Sequence, residues 1–519
     1  MSARVRRTAG RAASAGVIGS VVAGLVLTAS PASAGTLGYT PDAKGSLTSI
    51  ARVVGADQSY RAGITGAGIG VALIDTGVTP VPGLDTGNVV DGPDLSFDSQ
   101  DPELAHLDAY GHGTHLASII AGRDAKGSPA SYADPARFAG IAPDATLVDV
   151  KVGASDGAVD VTQVIAGINW VVEHRNDPGL NIRVINLSYG TNATQDTAVD
   201  PLAFAVENAW RNGIVVVVAG GNDGSTTYNL ANPARDPYVL AVGASDSQGT
   251  IDVADDIVPS WGTRGTNQRH VDVVAPGVSV LGLRVPNGYA DERNPSARVG
   301  DRFAKASGTS QAAAVVSGEV ALMLQANPSL APDQVKRQLM NTARSFPSAS
   351  VQYRGSGTTQ VRQAQLKPGA AGSQPATFFG NGTGSIEAAR GTSHVSNGTT
   401  PLKGEVDVFG QAWDGAAWAQ ATTGGTVWSG GHWRGELLTG DGWAEGVWPA
   451  TEWTASTWAA TTWRDAEWTA RTWRNGAWVA STWSASTWSA STWSARTWRD
   501  ATWSARTWRA ADYASAAWG

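Results

Sequence analysis

"IGVALIDTGV", residues 69–78, decides the fold. A short unbroken run of small and branched apolar residues, closed by Asp75-Thr76-Gly77, reads as a strand buried on both faces and ending in a turn. The same kind of run returns at 145–152 (ATLVDVKV), 183–190 (RVINLSYG), 213–221 (GIVVVVAGG), 238–244 (YVLAVGA) and 271–277 (VDVVAPG). Between these runs, 161–174 and 197–213 space their apolar residues by three and four, as helices do, the second closing at Gly213. A longer small-residue helix is expected over 311–327. Strand and helix alternating in this way predict an α/β fold, a parallel sheet covered by helices on both faces.

The chain of 519 residues has a formal charge of -7, which argues against a nucleic-acid binder dominated by phosphate contacts. It has no cysteine, so disulfides and thiolate metal sites are excluded. Arg4, Arg6, Arg7 and Arg11 precede the apolar run 15–27, and Ala32-Ser33-Ala34 supplies an A-x-A cleavage signal. The expectation is a signal peptide over 1–34, a secreted, extracellular protein, and no membrane span in its mature form. A short segment, 35–60, then leads into the main domain, expected over 61–395.

Three segments carry groups suited to chemistry. Asp75 ends the first strand, His112 sits between two glycines in "GHGTHLAS" (111–118), and Ser310 opens the long helix in "ASGTSQAAA" (306–314). Singly, each has an ordinary structural explanation as a loop cap, a turn residue or an N-cap. Together they answer a chemical need. A serine hydroxyl becomes a nucleophile when an imidazole accepts its proton, and a carboxylate fixes that imidazole's tautomer and stabilises its cation. Strand ends of a parallel sheet are where such groups converge, and a helix start offers free N–H groups to a developing oxyanion.

These motifs, in the order Asp, His, Ser, closely resemble the subtilisin-like serine peptidases over roughly residues 60–395. The resemblance implies a serine endopeptidase acting on proteins or peptides. It implies the catalytic set Asp75, His112 and Ser310, with Asn222 of "VVVVAGGNDG" as oxyanion donor. It further implies substrate contacts at Ser188, Tyr189 and Gly190 on one wall of the P1 pocket, Gly220 and Gly221 on the other, and Ala231 near its floor. Gly157 in "VGASDGAVD" would pair with the substrate backbone. Small residues there leave room for bulky apolar P1 side chains. Pro233 in "NPARDP" matches a turn whose proline is commonly cis. Two positions depart from the family pattern, Gln311 in place of Met and Ala314 in place of Pro. His115, three residues after His112, does not make a zinc motif without HExxH, and no catalytic metal or cofactor is expected. The acidic loop with Asp91, Asp94, Asp98 and Asp101 suits either structural calcium, as extracellular relatives often bind, or plain solvation.

From Trp413 the text changes. Nineteen of 22 tryptophans lie between 413 and 518, at every fifth position except Thr423, Leu438 and Tyr513. We therefore place a linker at 396–412 and a Trp-repeat tail at 413–519. A period of five fits neither helix nor strand. The repeat resembles a pentapeptide solenoid, although indoles facing outward, or an unfolded tail, would account for the pattern as well. The last fifty residues hold six Arg against two Asp, and indoles with basic side chains suit sugar rings and anionic cell-wall polymers. The alternative function is therefore a non-catalytic surface-binding protein acting through this tail.

Overall fold

The computed structural model describes residues 38–41, 43–224, 229–367, 379–397, 400–429 and 432–439, with short pieces at 442–443, 454–455, 462–464 and 467–469. Its centre is a seven-stranded parallel sheet in the order β2-β3-β1-β4-β5-β6-β7. These strands are β1 (Gly70–Asp75), β2 (Val89–Asp94), β3 (Thr146–Lys151), β4 (Ile182–Leu187), β5 (Val215–Ala219), β6 (Leu240–Ser245) and β7 (Val273–Pro276). Six of them are the runs read from sequence. β2 was not, because "VVDGPD" carries two aspartates, a glycine and a proline. It occupies the sheet edge, with a register shift between Asp91 and Asp94, where a proline costs no ladder bond.

β1 and β5 are buried at every residue, as strands covered on both faces must be. Helices Val161–His174 and Pro201–Arg211 begin at Asp160 and Asp200, whose carboxylates accept from the backbone N–H of Thr162 and Ala203. Helix Thr309–Ala326 packs against β4, β5, β6 and β7 and is buried over its first sixteen residues. Ala and Val dominate its faces, which lets it lie close to the sheet. The Asn232–Pro233 peptide is cis. No helix among the described residues is long and apolar enough to cross a membrane.

The change in composition at Trp413 is not a change in packing. Asp414 caps a helix over Gly415–Thr423 that lies on helix Pro201–Arg211, with Trp418 edge-on to Phe204 at 5.6 Å. Trp428 then pairs with Trp433 across an antiparallel hairpin. Trp413, Trp418, Trp428 and Trp433 are all buried. The first repeats thus serve a helix and a hairpin, not solenoid coils, and their indoles cover the peptidase-side helices. Residues 444–453 and 470–519, where the repeat is most regular, lie outside the described residues.

Glu319 is a buried acid in the middle of helix Thr309–Ala326, held by a 2.6 Å bond from Thr359 Oγ1. Burial pushes its pKa up to about 8, against an ordinary 4.5. Between those values the folded chain binds more protons than the unfolded one, so stability falls as pH rises through the window and is level above it. Glu319→Gln removes this term. Its melting temperature at pH 8.5 should exceed that of the wild type by about 3 °C or more, with a smaller difference at pH 5, as followed by calorimetry.

Candidate active site

Asp75 closes β1, one strand in from β3, opposite Lys151. Its Oδ1 accepts from Thr76 N at 2.8 Å and lies 2.7 Å from His112 Nδ1. Asp75 and His112 are both fully buried. His112 is the first residue of helix His112–Ala121. That helix starts close against the β1 turn because its second residue is glycine: a Cβ on Gly113 would stand 2.2 Å from Gly77 O. The glycine beside the histidine is therefore what lets the imidazole reach the carboxylate.

A second carboxylate, missed in the sequence, organises this corner. Asp108 accepts from Thr76 Oγ1 (2.9 Å), Tyr110 N (3.1 Å), Gly111 N (2.6 Å) and Thr114 N (2.7 Å). Thr76 Oγ1 in turn accepts from Gly113 N at 2.8 Å. Burial raises the pKa of Asp108, and the bonds from Gly111 and Thr114 pull against that rise. The signal available in sequence was an aspartate four residues before the glycine-flanked histidine. His115, one turn further on, has its pKa lowered to about 4, first by burial and then by His112. It is a neutral imidazole at physiological pH.

Ser310 is the second residue of helix Thr309–Ala326 and is 1 % exposed. Asn222, just past the end of β5, is tied to the same helix start. Its Oδ1 accepts from Thr309 N at 2.9 Å and from Thr309 Oγ1 at 2.8 Å. With donors on that oxygen, the other end of the amide is fixed as the N–H donor. Thr309 Oγ1 also accepts from Gly221 N at 3.2 Å, so one threonine binds the Gly220-Gly221-Asn222 turn to the serine helix.

Of the remaining candidates, Ser188 lies at the serine and Ala231 at Gly220. Ser188 Oγ lies 3.5 Å from Ser310 O and accepts from Asn186 Nδ2 at 3.2 Å. Tyr189 and Gly190 follow it, both buried. Ala231 N donates to Gly220 O at 3.2 Å, which joins two of the candidate pocket residues directly. A Cβ on Gly220 would lie 2.6 Å from Val271 Cγ1, and Gly221 has a φ of 111°, so both glycines are required by space or by backbone. Gly157, also left-handed, closes a tight turn by donating to Ala154 O at 2.7 Å. Gln311 and Ala314 are fully buried on the serine helix.

The carboxylates of Asp94, Asp98 and Asp101 in the acidic loop have partners within the chain. Asp91 and Asp94 lie on β2. Asp94 spends Oδ1 on Ser96 N (2.9 Å) and Ser96 Oγ (2.6 Å), and Oδ2 on His106 N (2.8 Å). Lys151 Nζ sits 3.2 Å from Asp98 Oδ2 and 3.9 Å from Asp94 Oδ2, and it donates to Leu104 O (3.0 Å) and Leu107 O (2.7 Å). Burial acts against this charge, but Asp98 and Asp94 outweigh it and hold the ammonium pKa above its ordinary value. Asp101 accepts from Glu103 N. Asp94 and Asp98 thus lie against the buried Lys151 ammonium.

A buried carboxylate–imidazole pair, with a serine and an amide donor bound to one helix start, suits acyl transfer through a serine nucleophile. Comparison with known proteins agrees. Residues 66–382 match the family described as the Subtilase family. The chain is 36% identical to serine protease AprX of Bacillus subtilis over 307 residues, 58% of this chain and 67% of that protein. It is 32% identical to subtilisin BL of Lederbergia lenta over 311 residues, 60% of this chain and 96% of that protein. A solved cold-adapted subtilisin-like serine proteinase aligns at 29% identity with a TM-score of 0.42, covering 57% of this chain and 88% of that one.

Proposed function

This chain belongs to the subtilase family and is a serine-type endopeptidase, and we propose that Asp75, His112 and Ser310 are its catalytic groups. In this reading His112 Nε2 takes the proton of Ser310 Oγ as that oxygen attacks the peptide carbonyl. Asp75 holds the Nδ1–H tautomer and stabilises the imidazolium. The Asn222 amide and the helix-start N–H groups receive the charge that develops on the carbonyl oxygen. His112 then gives its proton to the leaving amine, and water releases the acyl group by the same path in reverse. The reading assigns no step to a metal.

The observation that carries it is the 2.7 Å bond between His112 Nδ1 and Asp75 Oδ1, with both groups fully buried. Ser188, Tyr189 and Gly190, with Gly220, Gly221 and Ala231, are proposed as the P1 pocket, and the small side chains among them suit bulky apolar P1 residues. Gly157 and its neighbours are proposed to pair with the substrate backbone. The protein is proposed to be secreted, from the basic and apolar N-terminal pattern and its A-x-A site. Ser310→Ala should abolish labelling by a fluorophosphonate and lower casein cleavage by about four orders of magnitude or more. Unchanged cleavage by the purified variant overturns the assignment.

A role for the tail as attachment to cell-wall polymers rests on its spaced indoles and its basic end. The tail should be cut after Thr469, because Trp413, Trp418, Trp428 and Trp433 are buried and residues 468–469 pair with 306–307, three residues before Ser310. The shortened chain should keep its activity on small peptides and lose retention on purified wall material. Salt should weaken the retention of the full chain. Equal retention of both forms contradicts the attachment role.

A further inference from the structure

The family match ends at residue 382, and the chain beyond it bonds to the segments proposed above to line the cleft. Arg390, the last residue of the short helix Ile386–Arg390, is fully buried. Its guanidinium meets Asp160 through Nε at 2.6 Å and Nη2 at 3.3 Å. Its other donors reach Gly404 O at 2.8 Å and Val406 O. Asp160 stands two residues past the Ala154–Ala158 turn and caps helix Val161–His174. The arginine therefore holds the root of the segment assigned to the substrate backbone.

The neighbouring residues hold the opposite wall. Thr191, next after Gly190, donates through Oγ1 to Ala389 O at 2.7 Å. Asn192 exchanges two bonds with Thr392, Oδ1 accepting from its N–H at 2.8 Å and Nδ2 donating to its Oγ1 at 2.7 Å. The two chains touch so closely that a Cβ on Gly391 would stand 2.2 Å from Asn192 Oδ1. Thr191 is also paired in both directions with Asn232, beside Ala231. Residues 389–392 thus span from one proposed wall of the cleft to the other.

The first tryptophans of the repeat lock this span in place. Trp418 Nε1 and Trp433 Nε1 both point to Asn169 Oδ1, at 3.4 and 3.2 Å, on the helix that Asp160 caps. Arg434 pairs with Asp407 at 2.6 Å and lies over the rings of Trp413 (4.6 Å) and Trp433 (5.6 Å). Val408 N donates to Thr162 Oγ1 at 3.2 Å. Two indoles on Asn169 and a buried arginine on the cap of the same helix are more than a linker requires.

We propose that residues 386–434 are a brace on the substrate cleft, in which Arg390 is a positioning residue that fixes the two walls at the spacing an extended peptide needs. This rests on the cleft assignment above. A buried arginine with a fork on one carboxylate and further bonds to carbonyls has no substitute in lysine, which keeps the charge and loses the fork. The walls would then be free to drift apart while the catalytic groups, held by β1, β5 and the serine helix, stay in place.

The test uses the full chain carrying Arg390→Lys, with three readouts. Fluorophosphonate labelling and kcat/KM on an ester bearing only a P1 side chain should stay within about twofold of wild type. KM for a peptide filling five residues before the cut should rise about tenfold, with kcat changed less than threefold. Equal losses on the ester and the peptide, or an unchanged KM for the peptide, overturn the brace. If Arg390→Lys does not fold, Thr191→Val combined with Asn192→Ala removes the side-chain bonds of the other wall and should show the same split, and an unchanged peptide KM there overturns it. Failure of the wild type to label at Ser310 would instead remove the catalytic reading on which the brace rests.

Discussion

Burying a carboxylate is costly unless donors meet it, and the active corner of this protein brings its donors to one oxygen of Asp75. The carboxylate ends a strand buried on both faces, where water does not help it. Its Oδ1 is answered by Thr76 N and His112 Nδ1. Each answer constrains something else. The imidazole arrives only if its helix can start against the β1 turn, which demands glycine at 113. The helix start holds its direction through Asp108, whose four donors come from Thr76, Tyr110, Gly111 and Thr114. Lys151, opposite Asp75 in the sheet, ties down the carbonyls of the loop that leads there.

The serine half follows a parallel logic with neutral groups. Thr309 is bonded to Gly221 N and to Asn222 Oδ1, so the end of β5 and the start of the serine helix move as one piece. No group in this half needs to be charged before substrate arrives. The amide of Asn222 has its orientation settled in advance, which is the condition under which such a donor stabilises a transition state without reorganising.

The strands and helices of the sheet were legible because burial on both faces leaves unbroken apolar runs, and helices that cover them keep a spacing of three and four. β2 was illegible for the converse reason: an edge strand tolerates Pro93 and two aspartates, and it looks like a loop. Asp108 escaped because its role is to collect backbone N–H groups, and a single aspartate does not announce how many donors surround it. Arg390 escaped more completely. Its partner Asp160 is 230 residues away in sequence, and nothing local in "SIEAARG" marks an arginine as buried. The Trp repeat is a different case, since its period carries no sign of which indoles pack on the peptidase domain. The first indoles follow the local structure, Trp418 on a helix and Trp428 with Trp433 across a hairpin.

The account stands or falls on the Asp75–His112 bond acting in catalysis, and the rate of fluorophosphonate labelling at Ser310 in an Asp75→Asn variant tests it most directly. The amide keeps the shape of the site but offers the imidazole a donor where a carboxylate was, which favours the wrong tautomer. Labelling, located on Ser310 by mass spectrometry, should slow by about 10⁴-fold while the folded state is retained. A variant that folds and labels at the wild-type rate would contradict the account.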